Sequence, residues 1–369
     1  MKNYLTEGNI LLSNGDPKKA VYSYRKALNV KPNDPEVFNN LGIALIQLKK
    51  FEEAILNFDK AIRFKTNNLK AINNLIYLLT FYSPKNKDLN SIIFANHLLR
   101  SAKYNYNSKK KISDEDISNL FSSCISIIYK YKINIKYNNS QLYRRNEIRL
   151  NCARHLRIFN IFSIIPEYCF GCYKVLIEPR NILELFKLSI IFDNLNLKNN
   201  LNKKCMIELR PNVQGTYKGF IYCGSLDEAN KVYGILVEIL NKQINKLIPI
   251  SIKRGCTEYY DIYPEYKKIS QNPDQLMSYN KDWKKKEKIY DTNLKKNNTL
   301  IVNIFKNSLS GISLIDILIM QHWLVFAKKI GDKSYKKIYK DELSSEYIEK
   351  ELSPQLLKRK NEFSPTVKQ

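Results

Sequence analysis

The chain has 369 residues, 44% of them apolar, which is enough for two or three domains with buried cores. Only 11 glycines and 12 prolines are present, so collagen-like and proline-rich disordered classes are excluded. The net charge of +26 fits a polyanionic partner, either nucleic acid or an anionic membrane surface. It equally fits a compositional excess of lysine codons, because the lysines are spread along the whole chain.

The N-terminal region contains an internal repeat. Four positions recur 34 residues later: Gly8, Ala20, Tyr24 and Ala27 correspond to Gly42, Ala54, Phe58 and Ala61. Small residues let two helices approach closely, and the aromatic ring fills the space beside them. Asp16-Pro17 and Asp34-Pro35 each predict a helix start, with an N-cap residue followed by proline. The pattern therefore predicts paired helices.

This pattern resembles the tetratricopeptide repeat (TPR) family, with two full repeats over residues 1–68 and a degenerate third that extends the module to residue 82. The resemblance implies an all-α module of helix hairpins that binds a peptide or partner protein in a concave groove. It assigns the partner-binding surface to four residues: Asn9, Asn40, Lys70 and Asn74.

Some TPR modules hold a partner's C-terminal carboxylate with a five-residue clamp. Asn9, Asn40 and Lys70 match that clamp, whereas Leu5 and Asn74 stand where the clamp has basic residues. Three interpretations remain open: a carboxylate clamp, a plain peptide groove, and a structural cap on the next domain.

Residues 83–160 predict a helical connector. Ser113 and Asp116 form a capping-box pattern, and the apolar spacing over residues 144–162 is that of one helix face. His155 lies beside that face, where a packed histidine is more common than a ligand.

From residue 172 the apolar period becomes that of strands. Strands are predicted at 172–178, 205–210, 216–223 and 248–254, with helices at 181–195 and 225–245. The order βαββαβ is that of the ferredoxin-like fold. We therefore predict a ferredoxin-like α+β domain over residues 161–258.

The remaining chain predicts two further segments. Residues 259–299 are rich in tyrosine and lysine and poorly periodic, which indicates an irregular basic connection. Residues 300–369 predict a C-terminal helical region, with a helix that ends before Gly331 and a frayed tail. Ser313 and Asp316 form a capping-box pattern in that helix.

The sequence predicts neither a secretory signal nor a membrane span. The longest apolar stretch, residues 312–327, is interrupted by Asp316 and His322 and is too short to cross a bilayer. We expect a multidomain cytoplasmic protein, in which thiols stay reduced.

Five cysteines are predicted at one edge of the sheet: Cys169, Cys172, Cys205, Cys223 and Cys256. Cys205 and Cys223 are expected to be cross-strand neighbours on the helix-packed face, with Cys172 on the other face. The C-x-x-C pair precedes a strand, so thioredoxin-type chemistry fits poorly. The interpretations are small apolar core residues, a thiolate site for zinc or an iron–sulfur cluster, and a redox pair.

The other face of the sheet carries a second resemblance. Lys218, Gly219, Phe220 and Tyr222 are similar to the base-stacking strand of the RNA-recognition motif. That resemblance implies nucleic-acid binding by a set of five residues: Lys218, Phe220, Tyr222, Arg210 and Lys253. The alternative is that another layer of the protein covers this face.

No P-loop, Rossmann, metalloprotease or α/β-hydrolase motif is present in the sequence. We therefore predict a non-enzymatic protein that mediates protein–protein interaction through a TPR groove, with an α+β domain of unknown ligand. The alternatives are RNA binding on the open sheet face and zinc or iron–sulfur binding by the cysteine edge.

Overall fold

The computed structural model describes residues 3–102, 106–135, 139–144, 152–210, 213–269, 276–296 and 308–341, together with residues 359, 360 and 363. Its N-terminal part is helical: α1 (Tyr4–Ser13), α2 (Pro17–Val30), α3 (Pro35–Gln47), α4 (Phe51–Phe64), α5 (Leu69–Leu78), α6 (Ser91–Ser101) and α7 (Asp114–Lys130).

The starts of α2 and α3 follow from the two Asp-Pro pairs. The Asp16 carboxylate accepts a hydrogen bond from the backbone N–H of Lys19, and Asp34 accepts from Glu36 and Val37. Each carboxylate satisfies amide groups that have no partner within the helix. The helix starts predicted at these two pairs are therefore confirmed.

The repeated glycines mark the places where paired helices touch. A Cβ on Gly8 would lie 2.4 Å from Cε1 of Tyr24, and a Cβ on Gly42 would lie 2.5 Å from Cε1 of Phe58. Both distances are well inside van der Waals contact, so only glycine permits the ring to pack there. This explains why glycine and the aromatic residue recur together.

The second half of the chain contains a sheet with further helices: β1 (Gln141–Arg144), α8 (Cys152–Phe162), α9 (Glu167–Gly171), β2 (Tyr173–Ile177), α10 (Ile182–Asn194), β3 (Lys203–Ile207), β4 (Tyr217–Cys223), α11 (Leu226–Gln243), β5 (Ile250–Arg254), α12 (Lys281–Lys296) and α13 (Leu314–Ile330). The strands form one antiparallel sheet in the order β1-β3-β4-β2-β5. Helices α10 and α11 pack on one face. The other face has its own small apolar cluster, formed by Leu176, Met206, Phe220 and Tyr222.

The predicted strands and helices between residues 172 and 254 agree with the structure, except that β3 begins and ends earlier than predicted. The helical prediction is wrong at residues 141–144, which form strand β1. This edge strand pairs with β3, so its conformation depends on a partner distant in sequence. The predicted helix over 144–162 exists as α8 from Cys152 onward, and residues 145–151 lie outside the described residues.

The irregular structure predicted for residues 259–299 is wrong for Lys281–Lys296, which form α12. Trp283 and Tyr290 on this helix join Tyr259, Tyr266 and Phe159 in a second hydrophobic core. The narrow apolar stripe of α12 explains why periodicity alone did not indicate a helix. The tyrosines of this segment are core residues.

Helix α13 lies at the centre of the molecule. It contacts α5, α6, α7, α10 and β1, and one hydrophobic core runs from the N-terminal helices to the sheet. The predicted capping box of Ser313 and Asp316 is confirmed, as is the predicted stop at Gly331, which adopts a left-handed conformation with φ of 88°. The helix predicted from residue 300 onward is wrong for residues 308–313, which precede α13 and are not helical. Residues 300–307 of the predicted helix lie outside the described residues.

Two details complete the fold. The frayed tail predicted at the C-terminus is wrong for Arg359, which is fully buried and donates hydrogen bonds to the carbonyls of Arg210 and Val213. Among the helices that the structure describes, none is both long and apolar enough to cross a lipid bilayer.

Candidate partner-binding site

Helices α1, α3 and α5 are joined by hydrogen bonds between polar side chains. Asn9 Oδ1 accepts from Tyr24 Oη at 2.8 Å and from Asn40 Nδ2 at 2.9 Å. Asn39 Nδ2 donates to Asn40 Oδ1 at 3.0 Å, and Asn74 Nδ2 donates to Asn39 Oδ1 at 2.8 Å. We call these five residues the amide chain.

The anchor of the amide chain is the hydroxyl of Tyr24. Burial, followed by the charge of Glu36, raises the pKa of this hydroxyl to about 12, so it remains protonated and donates to Asn9. The ring of Tyr24 is fixed by the contact with Gly8 described above. The position of Asn9 is therefore set by packing within the first helix pair.

Three of the four residues predicted to bind a partner are brought together. Asn9, Asn40 and Asn74 belong to the amide chain, whereas Lys70 is exposed one turn before Asn74 on α5. Asn39 was missed, although the Asn39-Asn40 pair recurs in the third repeat as Asn73-Asn74.

At its C-terminal end α5 meets the sheet across a cavity of about 100 Å³. Tyr77, which lies on α5 one turn beyond Asn74, lines this cavity together with Phe81, Arg100 and Tyr143. Arg100 holds the junction closed, because its guanidinium donates to the carbonyls of Leu79 and Thr80 and to three carbonyls in residues 309–311.

A buried ion-pair network forms one wall of the same cavity. Arg144 on β1 donates two hydrogen bonds to Asp316 on α13, at 3.0 and 3.1 Å, and one to Asp193 on α10 at 2.6 Å. These bonds tie the sheet to the helices on both sides. Burial lowers the pKa of Arg144, but the two carboxylates outweigh it, so the pKa is raised overall.

On the open sheet face, the residues assigned to nucleic acid lie in different environments. Lys218 Nζ and the Arg210 guanidinium both bond the buried carboxylate of Glu208. Phe220 is only 8% exposed and Tyr222 is half-buried. Lys253 is exposed on β5.

Glu208 is the hub of that ion-pair group. Burial raises its pKa, but hydrogen bonds from Arg210 and the charge of Lys218 outweigh burial and lower the pKa to about 2. The carboxylate is therefore ionised at neutral pH.

The five predicted cysteines fall into two groups. Cys205 and Cys223 are buried in the core under α10 and α11. The register places Gly219 opposite Cys205 and Tyr173 opposite Cys223, so the expectation that these two cysteines are cross-strand neighbours is wrong. The register depends on the length of the loop between β3 and β4, and the pattern of apolar residues does not specify where that loop begins and ends.

The other group is Cys169, Cys172 and Cys256. A hydrogen bond between Cys169 and Cys256, together with burial, raises the pKa of Cys169, and the same bond lowers the pKa of Cys256. Within the described ranges, no three side chains of histidine, cysteine, aspartate or glutamate are arranged as ligands of a metal ion. His155 is buried against Tyr168, and burial lowers its pKa to about 4.

Comparison with known proteins identifies the N-terminal region. The TPR repeat family model matches residues 8–49, and a second tetratricopeptide repeat model matches residues 35–68. The TPR repeat-containing protein MJ1428 of Methanocaldococcus jannaschii is 24% identical over 284 residues, which cover 75% of this chain and 44% of that protein.

Two shorter similarities involve eukaryotic proteins. BBSome complex member BBS4 of Bos taurus is 32% identical over 69 residues, covering 19% of this chain and 13% of that protein. The peroxisomal targeting signal receptor of Kluyveromyces lactis is 35% identical over 68 residues, covering 18% and 12%. The chain spans less than half the length of these curated relatives. The tetratricopeptide repeats predicted from the 34-residue pattern are confirmed.

Proposed function

We propose that this tetratricopeptide-repeat protein binds an extended segment of a partner protein along the inner face of α1, α3 and α5. The observation that carries the proposal is the amide chain, which runs across all three helices. A carboxamide offers both donors and an acceptor, as a peptide backbone does. Side chains already held by hydrogen bonds lose little freedom when they bind.

The two ends of the amide chain supply the hydrogen-bonding groups for a partner. Asn9 is exposed, and its Nδ2 group donates to no protein atom in the described part of the chain. Asn74 likewise has an acceptor oxygen that no described group bonds, since its recorded bond uses Nδ2. One end therefore offers a donor and the other an acceptor, and Lys70 adds a positive charge beside Asn74.

The relatives support a protein partner. The bovine relative is a member of the BBSome complex, and the Kluyveromyces relative is a receptor for a peroxisomal targeting signal. Both similarities have the length of two TPR repeats.

The test is selection of binding peptides from a random displayed library, followed by measurement of Kd by fluorescence anisotropy. Asn9→Ala and Asn74→Ala are each expected to weaken binding roughly tenfold, because each removes a buried hydrogen bond to the peptide. The matched control is Asn29→Ala, which replaces an exposed asparagine on α2, outside the amide chain. Equal affinities for all three variants and the unmodified protein would overturn the proposal.

We also propose that residues 161–258 form a ferredoxin-like domain. The succession β2-α10-β3-β4-α11-β5 and the sheet order β3-β4-β2-β5, with both helices on one face, support this assignment. In this division, residues 1–82 are the binding module, and residues 83–160 connect it to the sheet and supply the edge strand β1. Residues 259–299 and 300–369 add the second core and the central helix.

A further inference from the structure

Two lysine ammonium groups on the open sheet face lie against one aromatic ring. Lys174 Nζ on β2 lies 5.6 Å from the ring centroid of Phe220 on β4, and Lys204 Nζ on β3 lies 5.1 Å from it. The register places Lys204 directly opposite Phe220 and Lys174 opposite Tyr222. Side chains of three adjacent strands therefore converge at one point of the face.

Neither of these lysines forms an ion pair within the part of the chain that the structure describes. Among the residues that the structure describes, no carboxylate oxygen lies within 4.0 Å of Lys174 Nζ or Lys204 Nζ. Lys174 donates instead to the carbonyl of Gly255 at 3.1 Å, and Lys204 to Oε1 of Gln141 at 3.4 Å. Both acceptors are neutral, so no described carboxylate contacts either charge directly, and Glu258 and Glu208 attract Lys174 and Lys204 only from a longer distance.

The surroundings make this arrangement costly in the free protein. Both lysines are half-buried, beside a cluster that contains Leu176 and Met206. Burial lowers the pKa of Lys174, and burial with the charge of Lys174 lowers the pKa of Lys204 to about 8. Buried charges in proteins are normally paired, because an isolated one loses its hydration without compensation.

Two other basic side chains of this face do contact a carboxylate. Lys218 and Arg210 share the single carboxylate of Glu208. A long polyanion such as single-stranded nucleic acid needs a continuous track of available cations. Lys253 lies exposed on the edge strand β5, whereas Lys174 and Lys204 converge on the ring of Phe220, which suits a single small anion.

We propose that Lys174 and Lys204 bind a small phosphate-bearing ligand on this face, with Phe220 as the apolar surface between them. A phosphate group carries nearly two negative charges at neutral pH and several acceptor oxygens, so one group compensates both ammonium groups. The site is independent of the peptide groove, because none of its residues lies on α1 to α5.

The direct test is a titration of the full chain with inorganic phosphate in phosphate-free buffer, followed by calorimetry and thermal unfolding. We expect phosphate to bind with one site per chain and to raise the unfolding temperature. Lys174→Met and Lys204→Met are each expected to weaken binding at least about tenfold. Lys253→Met is the matched control, since Lys253 is exposed and pairs in register with Lys174, and we expect a change of about twofold or less.

The same variants give a second readout without ligand. If the two lysine charges serve to bind an anion, replacing either lysine by methionine should leave the free energy of unfolding of the ligand-free protein unchanged or increase it. Methionine keeps the apolar contact with Phe220 and removes the charge together with its hydrogen bond to a neutral acceptor. A loss of stability in phosphate-free buffer would show that the lysines serve the fold, and would overturn the proposal.

A third measurement uses the unmodified protein and does not depend on a variant folding. Phosphate is expected to slow reductive methylation of Lys174 and Lys204, read by mass spectrometry, and to leave Lys253 unchanged. Absence of phosphate binding, or equal methylation with and without phosphate, would overturn the proposal. So would binding of an eight-nucleotide single-stranded DNA with which phosphate does not compete.

Discussion

The buried carboxylate of Glu208 offers a sharp test of the electrostatics in this protein. Glu208 is 1% exposed and bonds Arg210 and the buried ammonium group of Lys218. Its pKa falls from the usual 4.5 to about 2 in the folded chain, a difference of about 2.5 units. At about 1.36 kcal/mol per unit, ionised Glu208 contributes roughly 3 kcal/mol to the free energy of unfolding at neutral pH.

The sign follows from the direction of the shift. Because the folded pKa is the lower one, the contribution is present above the unfolded pKa of about 4.5. It is lost as the pH falls through the folded value near 2. The free energy of unfolding of the Glu208→Gln variant should therefore be about 3 kcal/mol lower than that of the unmodified protein at pH 7. The difference between the two proteins should nearly vanish at pH 2.

The assay is urea unfolding of both proteins from pH 7 to pH 2, followed by circular dichroism. Other carboxylates titrate equally in the two proteins, so only their difference in free energy is read. Glu238→Gln is the control, since Glu238 is exposed on α11, and its effect should stay within about 0.5 kcal/mol at every pH. A Glu208→Gln difference that is independent of pH, or below about 1 kcal/mol at pH 7, would refute the reasoning.

Three further changes test the packing. Gly42→Ala places a methyl group 2.5 Å from the ring of Phe58, so urea unfolding should show a loss of about 1–3 kcal/mol; no loss would mean that the helix pair separates freely. Arg144→Met leaves the Asp316 carboxylate buried without its cation and should cost about 3–5 kcal/mol, part of which Asp316→Asn should restore in the double variant. Trp283→Ala should cost about 3–5 kcal/mol and, because this core is separate from the main one, should accelerate hydrogen exchange first in α12; uniform acceleration would contradict two cores.

The repeat and most secondary structure could be predicted because their causes are local. Asp34 directly precedes α3 and caps it by accepting from amides two and three residues further on. The period of apolar residues marks β2, α10, β4 and α11 without reference to a partner. Strand β1 could not be predicted, since four residues become a strand only when β3 pairs with them. Helix α12 was missed because its apolar stripe is narrow and is completed by residues 259 and 266 from another segment.

The candidate site was predictable only in part. The repeat pattern indicated Asn9, Asn40 and Asn74, but the inclusion of Asn39 depends on how α3 and α5 approach each other. The predicted neighbours Cys205 and Cys223 lie apart because the register of the β3–β4 hairpin decides which residues face each other.

The sequence alone determined that this protein has tetratricopeptide repeats, because the glycine–aromatic pattern is a requirement of packing within one helix pair. It also determined which residues alternate between the two faces of the sheet, since that follows from strand geometry. Only the tertiary structure decided which charges are paired. The number of lysines in the sequence does not reveal which of them are paired. Lys218 contacts Glu208 across the β3–β4 hairpin, whereas Lys174 and Lys204 contact no carboxylate in the described residues. Charge pairing depends on three-dimensional distance, and the chain order does not specify it.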